Sequence, residues 1–199
     1  MHLDSKDSTV SSRLSQSRDW EPEATKIIRD NLAEGQTFVD CGAHIGYFSL
    51  LASRIVGPSG LVVAFEPWPI NFQYLVANLG LNSVRNVVPI MMPLWESNAL
   101  LSINQSNENT GDVRVSENLG DYPAMTLDRL FAPNTVDFLK IDCQGADQKI
   151  LRGGKNLIIN SQKMKLLVED GGNVPTEFGF KLVRHIQQEQ TYYFVKGDV

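Results

Sequence analysis

Along the chain, short apolar runs alternate with segments whose apolar residues recur three and four positions apart, a pattern that predicts strands and helices in turn. Thr37 to Asp40 reads as a first strand. Leu61 to Phe65 contains no polar residue, as a central strand buried on both faces of a parallel sheet requires. Asn86 to Leu94, Val136 to Asp142 and Leu166 to Glu169 read as further strands. Between the strands, Ala24, Ile27, Ile28 and Leu32 share one face of a helix over 22–34, which Gly35 stops. Ile45, Phe48, Ala52 and Ile55 mark a second helix ended by Gly57-Pro58, and Phe72, Leu75 and Leu79 mark a third. Thr126-Leu127-Asp128 opens a short helix, and another follows Asp147. Regular strand-helix alternation predicts an α/β fold with a doubly wound, mostly parallel sheet.

The pattern breaks in three places. Residues 1–19 are rich in Ser, Asp and Arg and read as a flexible lead-in, with a short ordered piece at Thr9 to Leu14, ahead of a single domain over 20–199. From Trp95 to Pro133 the chain turns polar, with short strands predicted at Leu100 to Ile103 and Val113 to Val115. Its Asn109-Thr110-Gly111-Asp112 turn is a candidate wall for a substrate, because long ordered loops at this point of a fold often carry one. Near the C-terminus, Phe178, Leu182, His185 and Ile186 fall on one helical face, before a last strand at Tyr192 to Val195.

Candidate chemistry sits at the join of the first strand and its helix, where Asp40, Gly42 and Gly46 form Asp-x-Gly-x-x-x-Gly. Glycines there let backbone approach a ligand closely, and the carboxylate at the strand end accepts hydrogen bonds from it. Glu66 follows at the end of the next strand, where an acid can hold both hydroxyls of a ribose. These residues point to an adenosine-type cofactor; a tight turn without a ligand and a dinucleotide site are the alternatives the pattern leaves open. Asp40, Glu66, Asp142 and Glu169 all end predicted strands, so four carboxylates are expected around one crevice.

Composition narrows the partners. The chain has 199 residues, enough for one domain, and a formal net charge of −5, which argues against nonspecific attachment to nucleic acid. A small cationic ligand suits that balance. Cys41 and Cys143 have no metal-ligand spacing, so no metal site is expected and free thiols are. The start of the chain lacks the apolar core of a signal peptide, and no apolar run reaches the roughly 18 residues of a membrane span. A soluble, cytoplasmic protein without membrane contact is the expectation.

Several stretches together resemble the FkbM-type methyltransferases: STVSSRL followed by WEP, FVDCGAHIGYFSLLA, VGPSGLVVAFEPWPINFQYLVANLGLN, TLDRL, FLKIDCQGADQKILRGG and LLVEDG. The resemblance covers most of the chain. It implies a Rossmann-like class I methyltransferase fold that uses S-adenosylmethionine. It further implies that Asp40, Gly42, Ala43, His44, Gly46 and Tyr47 surround the methionine part of the cofactor and that Glu66, next to Pro67, holds its ribose. Asn71 and the Trp95-Glu96-Ser97 turn would lie toward the adenine, and Trp68 beside the ribose or on the surface. The implied reaction moves a methyl group to a hydroxyl oxygen of a sugar or other secondary-metabolite acceptor. Asp142, also counted toward the cofactor, is the first candidate to orient the acceptor or take its proton. Glu169 and His44 are the reserves, and Lys140 the group that pairs with an acid.

The chain departs from that family in three respects. Gln144 stands where glutamate is usual and cannot serve as a base, and His44 stands where asparagine is commoner. Residues 170–199 leave room for one helix and one strand, so the sheet edge is expected to be abbreviated, or completed by a second copy in a homodimer. A cofactor-binding protein with weak or no catalysis stays open beside the enzyme, and a dinucleotide-dependent enzyme ranks below both.

Overall fold

The computed structural model describes residues 1–3, 9–17, 19–105, 113–117, 120–131, 134–174 and 176–196. Helices α1 (Val10–Ser17) and α2 (Pro22–Asn31) come first, then β1 (Thr37–Cys41), α3 (Tyr47–Val56), β2 (Leu61–Phe65), α4 (Pro69–Leu81) and β3 (Val87–Ile90). Three short strands interrupt the alternation: β4 (Ala99–Gln105), β5 (Val113–Ser116) and β6 (Tyr122–Ala124). They precede α5 (Leu127–Phe131) and β7 (Phe138–Ile141). The chain continues through α6 (Asp147–Gly153), α7 (Lys155–Asn160), β8 (Lys165–Val168), β9 (Phe180–Ile186) and β10 (Thr191–Lys196).

The main sheet runs β3-β2-β1-β7-β8-β10-β9, with its first five strands parallel and β10 antiparallel to both neighbours. Every residue of β7 is buried, and all of β1 except Thr37. Period-two alternation sends Phe38 and Phe138 to one face, where they meet Ile28, Phe48 and Ala52 of α2 and α3. Val39 and Leu139 go to the other, against Ile150 and Leu151 of α6 and Leu157 and Ile158 of α7. Full burial of each such side chain stabilises by about 2 kcal/mol, so the two central strands are fixed from both sides.

The outer pieces differ from expectation. The predicted C-terminal helix is instead β9, paired antiparallel with β10 from Phe180↔Lys196 to Ile186↔Thr191, with a register shift between Tyr193 and Phe194 that leaves Val183 unpaired. An edge strand lies half in solvent, so Leu182 and Val183 are exposed and the spacing of its apolar residues carries no period-two signal. The sheet edge is therefore complete, not abbreviated, and needs no partner chain to finish it. What is short is the crossover from β8 to β9, where Gly171–Asn173 and Thr176–Phe178 are single 3-10 turns.

The predicted short strands are present, as β4 and β5, paired antiparallel. The third parallel strand is shorter than the 86–94 expected. Part of what reads as a lead-in is α1, whose Val10 and Leu14 pack with Ile45 beside Trp20, Tyr47 and Tyr74. The Asn109 to Asp112 turn lies outside the described residues. Among the described residues, no helix is long and apolar enough to cross a membrane.

Candidate active site

Two elbows face each other at the carboxyl ends of the adjacent strands β1 and β7. In the first, Gly42, His44 and Gly46 take φ of 82°, 50° and 91°, while the amides of Gly42 and Ala43 both donate to the Phe65 carbonyl at 3.0 and 2.9 Å. A Cβ on Gly42 would stand 2.0 Å from the carbonyl oxygen of Asp142, and one on Gly46 would stand 2.7 Å from Leu75 Cδ1. Backbone packing thus requires glycine at 42, while at 46 the left-handed φ does, since the tip of Leu75 can shift. The glycine pattern also clears the neighbouring elbow and α4, while Gly42 lines the crevice as well. In the second elbow, Gln144 and Gly145 take φ of 35° and 85°.

Each strand-end acid is placed by the last residue of the neighbouring strand. The amide of Glu66 donates to Ile90 O at 3.1 Å, that of Asp142 to Cys41 O at 3.0 Å and that of Glu169 to Ile141 O at 3.1 Å. The crevice they border has a volume of about 200 Å³. Gly42, Ala43, His44, Tyr47, Glu66 and Pro67 line one side, with Asn71; Asp142, Gln144 and Glu169 line the other. Asp40 lies fully buried beneath, and Gly46 shapes the turn without lining the crevice. Glu96 and Ser97 are not brought in. Glu96 is held by Lys149 at 3.2 Å and Arg152 at 2.6 Å, and Ser97 is exposed. Trp68 contributes its backbone amide.

On the first side both acids are buried and each takes a hydrogen bond, although Asp40 Oδ1 has no hydrogen-bond partner among the described residues. Glu66 Oε2 accepts from the His44 amide at 2.8 Å and Oε1 from the Trp68 amide at 2.9 Å, with Asn71 as a further donor. Burial pushes this carboxyl up to about 7, against the pull of those donors. Each oxygen keeps acceptor capacity beyond its one backbone bond. Asp40 Oδ2 accepts from Ser49 Oγ at 2.6 Å. Its Oδ1 stands 3.4 Å from Lys140 Nζ, which reaches Asp142 Oδ2 at 3.3 Å. Burial alone would push the Lys140 ammonium down, but Asp142, Asp40 and Glu21 outweigh it and hold the group well above the usual lysine value. Lys140 therefore links the two elbows as a permanent cation, 5.0 Å above the Phe48 ring.

The second side is less committed. The Asp142 side chain is 30% exposed. Glu169 is pushed up to about 8 by burial and then by Asp142 and Asp147, and its Oε2 accepts from Gln144 Nε2 at 3.3 Å. Asp147 is structural: its oxygens accept the amides of Cys143 and Asp170 at 2.9 and 3.0 Å, which pins the elbow to the end of β8. Cys41 and Cys143 are free thiols, both pushed up by burial. Among the described residues, no group of three or more His, Cys, Asp or Glu side chains could hold a metal ion. Glu21 escaped the sequence reading. It lines the same crevice from the turn before α2, and its signal was a carboxylate in the Trp20-Glu21-Pro22 turn, read there only as a helix start.

The sequence profile of the methyltransferase FkbM domain matches residues 40–194. The chain belongs to the FkbM methyltransferase family. The match takes in both elbows and every strand of the main sheet except the start of β1 and the end of β10. Among relatives of this chain is "Methyltransferase sdnD" of Sordaria araneosa, 28% identical over 167 residues, with 62% of each chain covered. The chain thus spans about three fifths of that relative's length. Its fold is shared with the methyltransferase FkbM of Methylobacillus flagellatus KT, at TM-score 0.58, 17% identity, and coverage of 80% of this chain and 43% of that one. A SAM-dependent methyltransferase from Aquifex aeolicus superposes at TM-score 0.55, with 17% identity and 92% and 90% of the two chains covered.

Proposed function

We propose that this FkbM methyltransferase binds S-adenosylmethionine in the crevice between the two elbows and moves its methyl group to a hydroxyl oxygen of a small acceptor, a sugar or other secondary metabolite, in the cytoplasm. The observation that carries the reading is the opposition of Glu66, held by two backbone amides, to the less committed Asp142 and Glu169 across one crevice, with Asp40 buried beneath. The residues present fit the cofactor. Glu66 has acceptor capacity on both oxygens for a ribose diol, Phe65, Leu94 and Ile150 offer an apolar wall for adenine, and the surplus of carboxylates suits a cation. The kinship with the SAM-dependent Aquifex enzyme agrees, and the net charge of −5 favours a small acceptor over nucleic acid.

When bound, the cofactor supplies an electrophilic methyl group on a sulfonium. The protein has to align the acceptor and help its proton depart. Asp142 does the second: Lys140 fixes its Oδ2 at 3.3 Å and its remaining surface opens to the crevice. Gln144 takes no proton but holds Glu169 in place. A binding protein with weak catalysis is the second reading, favoured by Gln144 in place of the family's usual glutamate.

Incubation with labelled S-adenosylmethionine and a panel of sugar acceptors tests the assignment. Asp142→Asn lowers the turnover about 100-fold with cofactor affinity little changed. Full turnover in that variant removes Asp142 from the role, and no transfer to any acceptor favours the binding protein.

A further inference from the structure

Glu21 lies outside residues 40–194 that the family profile matches, yet its side chain enters the crevice beside Asp142 and Lys140. Its backbone takes φ 43° and ψ 73°, a left-handed conformation, although it precedes Pro22 and such residues favour extended geometry. Helix capping does not explain this. The first free amides of α2, on Glu23 and Ala24, go to the two oxygens of Glu189 at 3.0 and 2.9 Å. The Glu21 carbonyl accepts the Thr25 amide at 2.8 Å, but its side chain caps nothing and lines the site.

The other acids of the site each have a hydrogen-bond or ion-pair partner. Asp40 holds Ser49 and faces Lys140, Glu66 and Asp147 each hold two backbone amides, and Glu169 holds Gln144. Lys140's one positive charge is shared by Asp40 and Asp142. Glu21 receives a hydrogen bond from Trp20 and, among the described residues, forms no ion pair. Resting on the S-adenosylmethionine reading, we propose that Glu21 is a specificity residue that recognises the positive charge of the methyl donor, favouring it over the demethylated product.

Donor and product differ by one methyl group and by the charge on sulfur, so a half-buried carboxylate lining the crevice separates them by electrostatics. Its surroundings support this. Burial first, then Asp142 and Glu189, against the pull of Lys140, push Glu21 up to about 8. Near neutral pH the unliganded site thus holds a proton there that a bound cation displaces.

Calorimetry on the full chain with S-adenosylmethionine and with S-adenosylhomocysteine decides the matter. Glu21→Gln keeps size and backbone preference, and circular dichroism confirms its fold. It weakens the donor about tenfold and the product less than about twofold. Glu177→Gln, which removes an equal charge at an exposed surface pair with Lys155, changes neither. At pH 7, donor binding in buffers of different ionisation enthalpy releases more protons from the wild type than from Glu21→Gln. An unchanged donor-to-product ratio overturns the proposal, as does equal weakening of both ligands, which makes Glu21 a structural part of the turn. If the wild type binds neither ligand, the methyl-donor reading fails first.

Discussion

The elbows after β1 and β7 are neighbours in the sheet and both use left-handed backbone, but they spend their acids differently. Around the first, Asp40 and Glu66 are buried and held by hydrogen bonds within the protein. Around the second, Asp142 is partly exposed and Glu169 is held only by a long bond from Gln144 and by Asp142 itself. A tied carboxylate keeps its position whatever arrives, which suits binding. A carboxylate in a cluster short of cations can exchange a proton or meet a positive ligand, which suits chemistry. Lys140 joins the two halves and belongs to both.

The largest test of that division is steric. Gly42→Ala places a methyl 2.0 Å from the Asp142 carbonyl at φ 82°, and is expected to cost about 4 kcal/mol and to abolish cofactor binding. Gly145→Ala has equally unfavourable φ but open space around it, and loses only about 1 kcal/mol. Thermal or urea unfolding of the pair measures the difference, and equal losses break the asymmetry. Lys140→Met leaves Asp40 buried without its cation and is expected to cost about 3 kcal/mol in the same assay. Next in size, Glu66→Gln weakens S-adenosylhomocysteine about 30-fold by calorimetry and also lowers stability by about 2 kcal/mol, because only one of the two backbone amides, of His44 and Trp68, keeps an oxygen acceptor and the other faces the new NH2 group.

The pH response is the smallest and the most selective effect. Glu66, Glu21 and Glu169 have folded pKa values raised from 4.5 to about 7, 8 and 8. The unfolded chain gives up these protons near 4.5 while the folded one keeps them, so the folded state binds more protons and loses stability as pH rises from about 4.5 to 8. The unliganded protein therefore melts higher near pH 5 than near pH 8.5. Glu66→Gln flattens the lower part of that slope, and Glu169→Gln extends the flattening toward pH 8. A melting temperature that rises across this window contradicts the assignment of uncompensated acids.

What was legible in the chain follows from burial. β1, β2, β7 and β8 are buried runs, so their apolar composition announced them, and the acids at their ends followed from the topology of the sheet. β9 was misread because an exposed edge strand is fixed by backbone pairing to β10, which leaves no mark in the residue pattern. Glu96 was placed toward the adenine by the family resemblance. In the folded protein its charge is absorbed by Lys149 and Arg152, residues distant in sequence. Glu21 stayed hidden for the converse reason: its role depends on a turn that brings the N-terminal segment over strands that come later in the chain.

The central claim is that this crevice takes an adenosine-linked methyl donor through Glu66 and the first elbow. Titration of the purified chain with S-adenosylhomocysteine and, separately, with NAD tests it most directly. Saturable binding of S-adenosylhomocysteine that Glu66→Gln weakens, with no binding of NAD, is the expected result. Binding of NAD alone, or no binding of S-adenosylhomocysteine by folded wild-type protein, would contradict it.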